Sequence, residues 1–483
     1  MITILDCYTD EPSGLGVPPY LGVYPRYLFG KLHANQPSYL TIDDLRNALT
    51  ERNRNPHKTD ISVKNLTRSR EATKDILGKT ETLYVVGGVH TPGKYLSAMP
   101  ASMHELARLL PLVKAEKILT GPASMGSQAE GGKKAEMPEG IFDEIVASEE
   151  SFDAIARYAP LGADVLKQIP YPVLAEIETG RGCMRSRHCS FCMEGLKRLE
   201  FRDAGDIRKE LEALKANGVQ HMRFGKQADF YSYQHHRPAE IKKILESASG
   251  LGFSTIHIDN TDPQYIVAKH GEEITRLIVE HCTPGNVAAF GVESFDPCVQ
   301  EKNCLNCTSE MVMDAARLIN RIGAERGDNG MPKFLPGINL ILGLPGETKE
   351  THAMNMRHLK AMVAEGLLLR RINIREAVRY PGTPLFSERF RVKTQGLYWK
   401  WKHEIRNTID HPMLERVLPK GTVLKGVRME VRDGNNTFGR QWGTYPLVVG
   451  VKEKLHLGTS YDVRVKGYML RSVIGEALAP PCQ

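Results

Sequence analysis

Long hydrophobic runs are missing from this chain of 483 residues. None approaches the ~18 apolar residues that a membrane-spanning helix needs, and the opening Met1-Ile-Thr-Ile-Leu-Asp6 has neither the basic start nor the apolar core of a secretory signal. We therefore expect a cytoplasmic protein with no membrane partner. Cysteine is sparse: there are nine, six of them in two tight clusters, which suits metal binding in a reducing compartment better than a disulfide framework. A strong charge of one sign is absent as well. The 64 Lys and Arg face 57 Asp and Glu, and the resulting +7 matters by its placement rather than its size. With 41% hydrophobic and 25% charged residues the composition is that of a soluble globular protein, and the length calls for two to four domains.

What is present is a loop with metal-binding chemistry. A short β-like run, Val173 to Glu178, ends in Thr179-Gly180-Arg181-Gly182 and delivers Cys183, Cys189 and Cys192 in the spacing C-x5-C-x2-C. Iron–sulfur clusters are held by cysteine thiolates, and a cubane of four irons normally takes four ligands, so three cysteines leave one iron open. Two other readings stand beside it: a structural zinc site with His188 as fourth ligand, and buried unliganded thiols.

With Phe191 just before the last cysteine, this stretch resembles the cluster loop of the radical S-adenosylmethionine (SAM) superfamily, whose commonest spacing is C-x3-C-x2-C. The resemblance implies a 4Fe-4S cluster on Cys183, Cys189 and Cys192, with SAM bound through its amino and carboxylate groups to the open iron and cleaved to a 5′-deoxyadenosyl radical. It also implies an electron donor such as ferredoxin or flavodoxin. The cofactor carries the hard chemistry and the protein positions it.

Residues 1–170 read as a small open parallel α/β domain: strands at Ile2–Leu5, Leu83–Val86 and Lys117–Thr120, a polar helix over Ile42–Arg52, and a turn-rich segment from Asp10 to Pro19. Gly87-Gly88 and Gly121-Pro122 fall just after strand ends, where such sheets bind ligands. The region resembles the cobalamin-binding-type domain that precedes the barrel in many radical SAM enzymes. The D-x-H-x-x-G motif is absent, because Cys7-Tyr8 follow Asp6, so a domain that has lost cobalamin is favoured over one that keeps it, and Cys7 reads as a small buried residue. The small, polar stretch 124–140 predicts a mobile loop. Helical spacing from Ile141 to Gln168 predicts a bridge to the next domain.

Residues 171–390 repeat a strand–helix rhythm that predicts a partial (β/α)6 barrel, with strands at Val173–Glu178, Val219–Phe224, Thr255–Asp259, Val287–Glu293, Gly337–Leu342 and Arg371–Arg375. In such barrels the chemistry sits at the C-terminal strand ends. The residues there are polar or glycine-rich in phase: Gly225-Lys-Gln-Ala-Asp229, Asp259-Asn-Thr-Asp262, Gly291-Val-Glu-Ser-Phe-Asp296, Gly343-Leu-Pro-Gly-Glu-Thr348 and Arg375-Glu376. By resemblance Gly225, Lys226 and Gln227 meet the SAM amino group, Glu293 and Ser294 the ribose and carboxylate, and Gly337 to Gly343, with Asn339, the adenine. Phe191 flanks the same site. Arg375 is a candidate for the SAM carboxylate, which a guanidinium pairs bidentately, or else a salt-bridge partner of Glu376 or another barrel carboxylate. No residue is assigned a catalytic role. Cys298, Cys304 and Cys307 repeat the first cysteine spacing and read either as a second cluster, a sulfur donor or electron relay, or as plain thiols on a helix and turn.

Ser294-Phe-Asp-Pro, Leu344-Pro-Gly-Glu-Thr and Tyr380-Pro-Gly-Thr-Pro-Leu resemble the tRNA methylthiotransferases. His257-Ile-Asp-Asn, Thr283-Pro-Gly, Leu335-Pro-Gly-Ile-Asn and Leu368-Leu-Arg-Arg-Ile-Asn-Ile-Arg resemble uncharacterised archaeal radical SAM proteins, which usually end in a helix-hairpin-helix module not found before Gln483.

In residues 391–483, Trp399 and Trp401 lie on an expected helix and are assigned to a core or interface. Strands at Val423–Val431, Tyr445–Val451 and Tyr461–Val465, with turns at Asp433-Gly-Asn435 and Gly458, predict a small β-barrel. Its wording from Phe438-Gly-Arg-Gln-Trp-Gly through Pro446-Leu-Val-Val resembles the TRAM domain that delivers tRNA to methylthiotransferases. From Lys420 onward ten Lys and Arg face five Asp and Glu, so five of the seven net positive charges lie there. Arg428, Arg440, Lys466 and Arg471 are the RNA-backbone candidates. The expected function is a radical SAM enzyme of transferase type that modifies RNA, preferably tRNA, by methylthiolation or methylation. The alternatives are a cobalamin-dependent radical methylase or another radical SAM enzyme acting on a protein or small molecule, and a non-catalytic RNA-binding protein with a structural metal.

Overall fold

The computed structural model describes residues 1–8, 20–49, 65–88, 100–126, 129–130, 133–147, 149–390 and 392–478. The turn-rich segment 10–19, the end of the helix expected to reach Arg52 and the last five residues lie outside the described residues. Contacts divide the chain into two compact units, one of residues 1–177, 202–222 and 251–253, the other of 178–201, 223–250 and 254–483.

The first unit is built on a parallel five-stranded sheet. Its strands are β1 (Ile2–Asp6), β2 (Ser38–Thr41), β3 (Thr82–Val86), β4 (Glu116–Thr120) and β5 (Glu144–Ile145), in the order β2-β1-β3-β4-β5. Leu5, Leu83, Val85 and Leu119 bury against Leu45 of helix Ile42–Leu49 and Leu106 of helix Met103–Leu109. Each such side chain stabilises the fold by about 1.5–3 kcal/mol on leaving water. The helix expected from Ile141 begins only at Phe152. Ser151 Oγ accepts from Ala154 N–H at 3.3 Å as its N-cap, and the residues before it are drawn into the sheet as β5, where Ile145 pairs with Leu119. Inside the stretch expected as a mobile loop, Ala129–Glu130 and Lys133–Lys134 pair antiparallel.

The second unit carries β6 (Asn286–Glu293), β7 (Phe334–Leu342) and β8 (Arg371–Glu376), parallel in that order, with helices Ser309–Gly323 and Lys349–Ala364 between them. Side chains alternate across a strand: Phe290, Ile338, Leu340 and Ile372 are buried, whereas Asn339, Ile341, Asn373 and Arg375 lie on the more open face. On the other side of β6, Thr261 forms a parallel bridge with Phe290, and Asp259 N–H donates to Phe224 O at 2.9 Å. The α/β architecture with parallel sheets thus stands as the sequence pattern implies.

The helix Tyr398–Ile405 divides the two tryptophans expected in a core or interface. Trp401 is buried beside Leu342 and Tyr398, but Trp399 is 85% exposed. Residues two apart on a helix point to opposite sides, so only one of the two could face the core.

The chain ends in a closed β-barrel of β9 (Val423–Asp433), β10 (Asn436–Arg440), β11 (Val448–Val451), β12 (Ser460–Tyr468) and β13 (Ser472–Ala477), in the order β9-β10-β11-β13-β12. Alternate residues such as Leu424, Met429, Val449, Val463 and Val473 fill its interior. The strand expected from Tyr445 starts at Val448, because Pro446 has no N–H for a ladder and Arg370 Nη2 takes the Tyr445 carbonyl at 2.6 Å. The two strands that the pattern missed, β10 and β13, close the barrel and remove its free edges. Thr444 N–H donates to His257 Nδ1 at 3.1 Å and Tyr445 OH donates to Asp259, tying this barrel to the parallel strands.

Candidate active site

The loop that carries Cys183, Cys189 and Cys192 is closed at its base by a two-residue antiparallel ladder, Gly180–Arg181 with Glu200–Phe201. Arg181 Nε and Nη2 hold the buried Glu178 carboxylate at 2.8 and 3.1 Å. Gly182 turns the chain at φ +75°, and a Cβ there would lie 2.8 Å from the Arg198 carbonyl oxygen, so only glycine fits. Further along, Ser190 N–H donates to Asn303 O at 2.9 Å and Ser190 Oγ donates to Asn303 Oδ1 at 2.7 Å. Arg185 reaches across the loop: Nη1 donates to Cys189 Sγ at 3.2 Å and Nη2 to the Cys304 and Leu305 carbonyls at 2.9 and 3.1 Å.

The three thiols are close enough to oppose one another's ionisation. Burial pushes Cys189 and Cys192 up to about 12, with further repulsion from Cys192 and Cys183 on the first and from Glu194 and Cys183 on the second; Cys183 is raised by burial too. Left to themselves they keep their protons, and a metal that binds thiolates must displace them. Among the described residues no three His, Cys, Asp or Glu side chains gather as a single-ion site. Cluster ligands hold separate irons and need not meet at one point, which suits this loop.

Beside the loop, four successive strand ends turn through left-handed backbone: Lys226 (φ 57°), Asn260 (φ 28°), Glu293 (φ 60°) and Gly343 (φ 89°). Such strain costs of order 1–3 kcal/mol for each non-glycine residue and is typical of sites where a side chain must be aimed. Gln227 is fixed by Thr179 Oγ1, which donates to its Oε1 at 3.3 Å, and by donation from its own Nε2 to Phe224 O at 3.1 Å; Asn260 Nδ2 donates to Gln227 O at 3.0 Å. On the open face of the sheet Asn339 lies in register with Gly291 and Asn373, and Arg375 with Ile341; a register shift between Gly291 and Glu293 re-aims Glu293. Burial pushes the Glu293 carboxyl up to about 8, opposed by the Arg375 charge, and its Oε2 has no hydrogen-bond partner. Glu376 pairs instead with Lys402 at 2.6 Å, so the expected Arg375–Glu376 bridge gives way to adjacent strand residues facing opposite sides.

Sequence reasoning quoted Asp229 and Asp262 but gave them no role, and it missed Asn306 and Arg185. Asp229 Oδ1 accepts from Asp262 N–H at 2.8 Å, while its buried Oδ2 has no partner. Burial and the neighbouring Asp262 raise Asp229 well above the carboxylate range, and burial pushes Asp262 up to about 6. Asn306 hydrogen-bonds Asp262 and leaves its Oδ1 unpartnered, and the vacant Cβ position of Gly291 lies 3.3 Å from Glu293 Oε1 and 3.7 Å from Asn306 Nδ2. Unpartnered polar oxygens thus collect beside the cysteine loop, two on carboxyls that burial holds protonated and one on an amide, as a polar ligand requires.

A protein-family model for the Radical SAM superfamily matches residues 177–359. An uncharacterized protein of Methanocaldococcus jannaschii is 37% identical over 98% of this chain and 93% of its own length. The chain belongs to the radical SAM superfamily. An uncharacterized protein of Archaeoglobus fulgidus is similar at 39% identity over 97% of this chain and 88% of that protein. Among solved structures, the radical SAM methyltransferase TsrM of Kitasatospora setae, with cobalamin and a [4Fe-4S] cluster bound, covers 80% of this chain and 73% of its own at 13% identity and a TM-score of 0.46.

A radical SAM protein carries a 4Fe-4S cluster and SAM, and the cysteine loop with its unpartnered polar oxygens fits both. Phe191 packs with Val299, Leu344 and Leu385 beneath the loop. Ser294 is buried and its Oγ accepts from Asp296 N–H at 3.2 Å, which fixes the turn after β6. Gly343 N–H donates to Glu347 Oε2 at 2.8 Å. The second triad differs in exposure: Cys298 is exposed in the first turn of helix Pro297–Lys302, Cys304 has φ 51°, and Cys307 is buried with Sγ 3.9 Å from Gly291 O.

Of the RNA candidates, Arg440 must be withdrawn: it is 1% exposed and paired with the buried Glu430, so it serves the interior of the β-barrel. Arg428 is largely covered, 3.9 Å from Glu430 and 5.8 Å from the Trp442 ring. Lys466 is exposed but paired with Glu476 at 2.7 Å, and Arg471 is exposed. In the first unit Cys7 is buried, Tyr8 takes φ 57° and donates its OH to Asp43 Oδ2 at 3.1 Å, and Tyr39 OH donates to Asp6 Oδ2 at 2.7 Å. The described end of β1 is thus lined by its own hydrogen-bonded side chains.

Proposed function

We propose that this protein is a radical SAM transferase that modifies RNA, with tRNA as its substrate and methylthiolation or methylation as the outcome. The observation that carries the RNA part is the closed C-terminal β-barrel, which lies in the stretch from Lys420 onward that holds five of the chain's seven net positive charges and is tied through Thr444 and Tyr445 to the strand-end residues His257 and Asp259. A basic small barrel beside a catalytic mouth suits a phosphate backbone.

When bound, the cluster and SAM supply a 5′-deoxyadenosyl radical. In this reading Cys183, Cys189 and Cys192 hold the cluster, and Arg185 steadies the Cys189 sulfur. Gly225, Lys226, Gln227 and Arg375 face the amino-acid end of SAM, Glu293 its ribose, and Gly337 to Gly343 its adenine. Burial keeps the Glu293 carboxyl protonated at neutral pH, so it can donate a hydrogen bond. Asn306 Oδ1 offers an acceptor to an N–H group of the substrate, and Asp229, held protonated by burial and by Asp262, offers a donor. A low-potential donor such as ferredoxin or flavodoxin reduces the cluster, in the cytoplasm.

The test is anaerobic reconstitution followed by incubation with SAM, reductant and tRNA. We expect 5′-deoxyadenosine that depends on Cys192 and a tRNA mass increase of one methylthio or methyl group. RNA retention should weaken steeply with salt and disappear on removing residues 420–483. Turnover of SAM with no change in any RNA would move the substrate to a protein or small molecule; zinc in place of iron would leave an RNA-binding protein with a structural metal.

A further inference from the structure

Trp399 is 85% exposed, more than any other large hydrophobic side chain among the described residues. It stands on a helix that is firmly anchored. On the opposite side Trp401 stacks on His352 with centroids 4.8 Å apart and planes 4° from parallel, and Tyr398 OH donates to Glu347 Oε1 at 3.0 Å. The other oxygen of Glu347 accepts from Gly343 N–H, so the start of the helix is fastened to the end of β7. Lys402 connects the exposed ring to the same region: its Nζ lies 5.9 Å from the Trp399 ring and 2.6 Å from Glu376, the last residue of β8. Trp399 therefore sits at the rim where the strands end and the candidate site begins.

Exposing a tryptophan forgoes the hydrophobic burial that its ring would otherwise contribute. Its neighbours along the chain are cations. Arg389, Lys393 and Lys400 are exposed and have no ion-pair partner among the described residues, and Glu388 is the one exposed acidic residue between Arg389 and Lys400 or next to them. An exposed aromatic face on a chain segment that carries unpaired cations is the chemistry that binds single-stranded nucleic acid, where bases stack and phosphates are neutralised. We propose that Trp399 is a base-stacking subsite at the rim of the active site, taking an unpaired nucleotide of the RNA substrate while Arg389, Lys393 and Lys400 neutralise its backbone. This rests on the RNA reading above.

The test uses the full-length protein and a short unstructured oligoadenylate. The chain has three tryptophans, so quenching can be assigned by substitution. Oligoadenylate should quench the emission of the wild type. Trp399→Ala should abolish that part of the quench and weaken binding by about tenfold, with an unchanged melting temperature because so little of the ring is buried. Lys400→Glu should weaken binding as well, and most strongly at low salt. Oligoadenylate binding with unaltered emission, and with equal affinity for the Trp399→Ala variant, would overturn the subsite and leave the RNA reading standing. No binding of either oligoadenylate or tRNA by the wild type would overturn both. A dimer that dissociates in the Trp399→Ala variant would assign the ring to a contact between copies, and the proposal would fail.

Discussion

The two cysteine triads share one spacing, C-x5-C-x2-C, and the fold treats them differently. Cys183, Cys189 and Cys192 hang on a loop closed at its base and turned by Gly182, so three half-exposed thiols lie near one another. Cys298, Cys304 and Cys307 begin on a helix, and a helix carries a residue away at about 1.5 Å per step in a fixed direction. Cys298 ends up exposed and Cys307 buried. Spacing along a chain thus fixes ligand geometry only when the backbone between the ligands is free to fold around the metal. Arg185 and Arg187 bridge the two triads, the first from Cys189 Sγ to the Cys304 carbonyl and the second to Cys304 Sγ at 3.2 Å.

The largest effect that would break the comparison is in iron. After anaerobic reconstitution we expect about four irons per chain, falling to near zero in Cys192→Ala and unchanged in Cys304→Ser. About eight irons in the wild type, halved by Cys304→Ser, would mean that the second triad rearranges to hold a cluster of its own.

A smaller effect concerns Glu293, whose charge is felt by Cys189 and Cys307 alike. Its carboxyl is raised from 4.5 to about 8, so between those values the native protein holds a proton that the unfolded chain has lost. Stability is therefore undiminished below about pH 4.5, declines as pH rises, and bears the full cost of the buried charge above about pH 8. In the apoprotein, Glu293→Gln should flatten the fall of the urea midpoint between about pH 5 and 8, by at least ~1 kcal/mol across the range. Parallel curves for the two proteins would show that the carboxyl is solvated.

Much of this was legible in the sequence, and the reasons differ by element. The strands of the parallel sheets are legible as nearly continuous apolar runs, as buried parallel strands are: Leu83 to Val86 has no charged residue, and Asn339 alone interrupts Gly337 to Leu342. The cysteine loop was legible from its own spacing and flanks. Strand β5 was not, because Glu144–Ile145 is two residues long and takes its conformation from Ile118–Leu119 beside it. The burial of Arg440 was equally hidden, since only its partner Glu430, ten residues away on β9, tells an interior arginine from a phosphate ligand. Asp229 and Asn306 were missed for the same reason: their orphaned oxygens are a property of the assembled mouth.

The smallest effect sharpens the comparison most. Gly182 and Cys304 both adopt left-handed backbone, at φ 75° and 51°. Just before the first triad the left-handed residue is a glycine; inside the second it is a cysteine under strain. Gly182→Ala adds that strain and brings a Cβ within 2.8 Å of the Arg198 carbonyl, so it should cost about 1–3 kcal/mol and reduce iron incorporation. Cys304→Gly relieves the strain but frees the unfolded chain, so a net gain of at most about 1 kcal/mol is expected, with iron unchanged. The two substitutions should thus move the urea midpoint in opposite directions. If Cys304→Gly destabilises instead, its thiol and the Arg187 contact stabilise the loop by more than the strain costs, and the second triad would regain a claim to function.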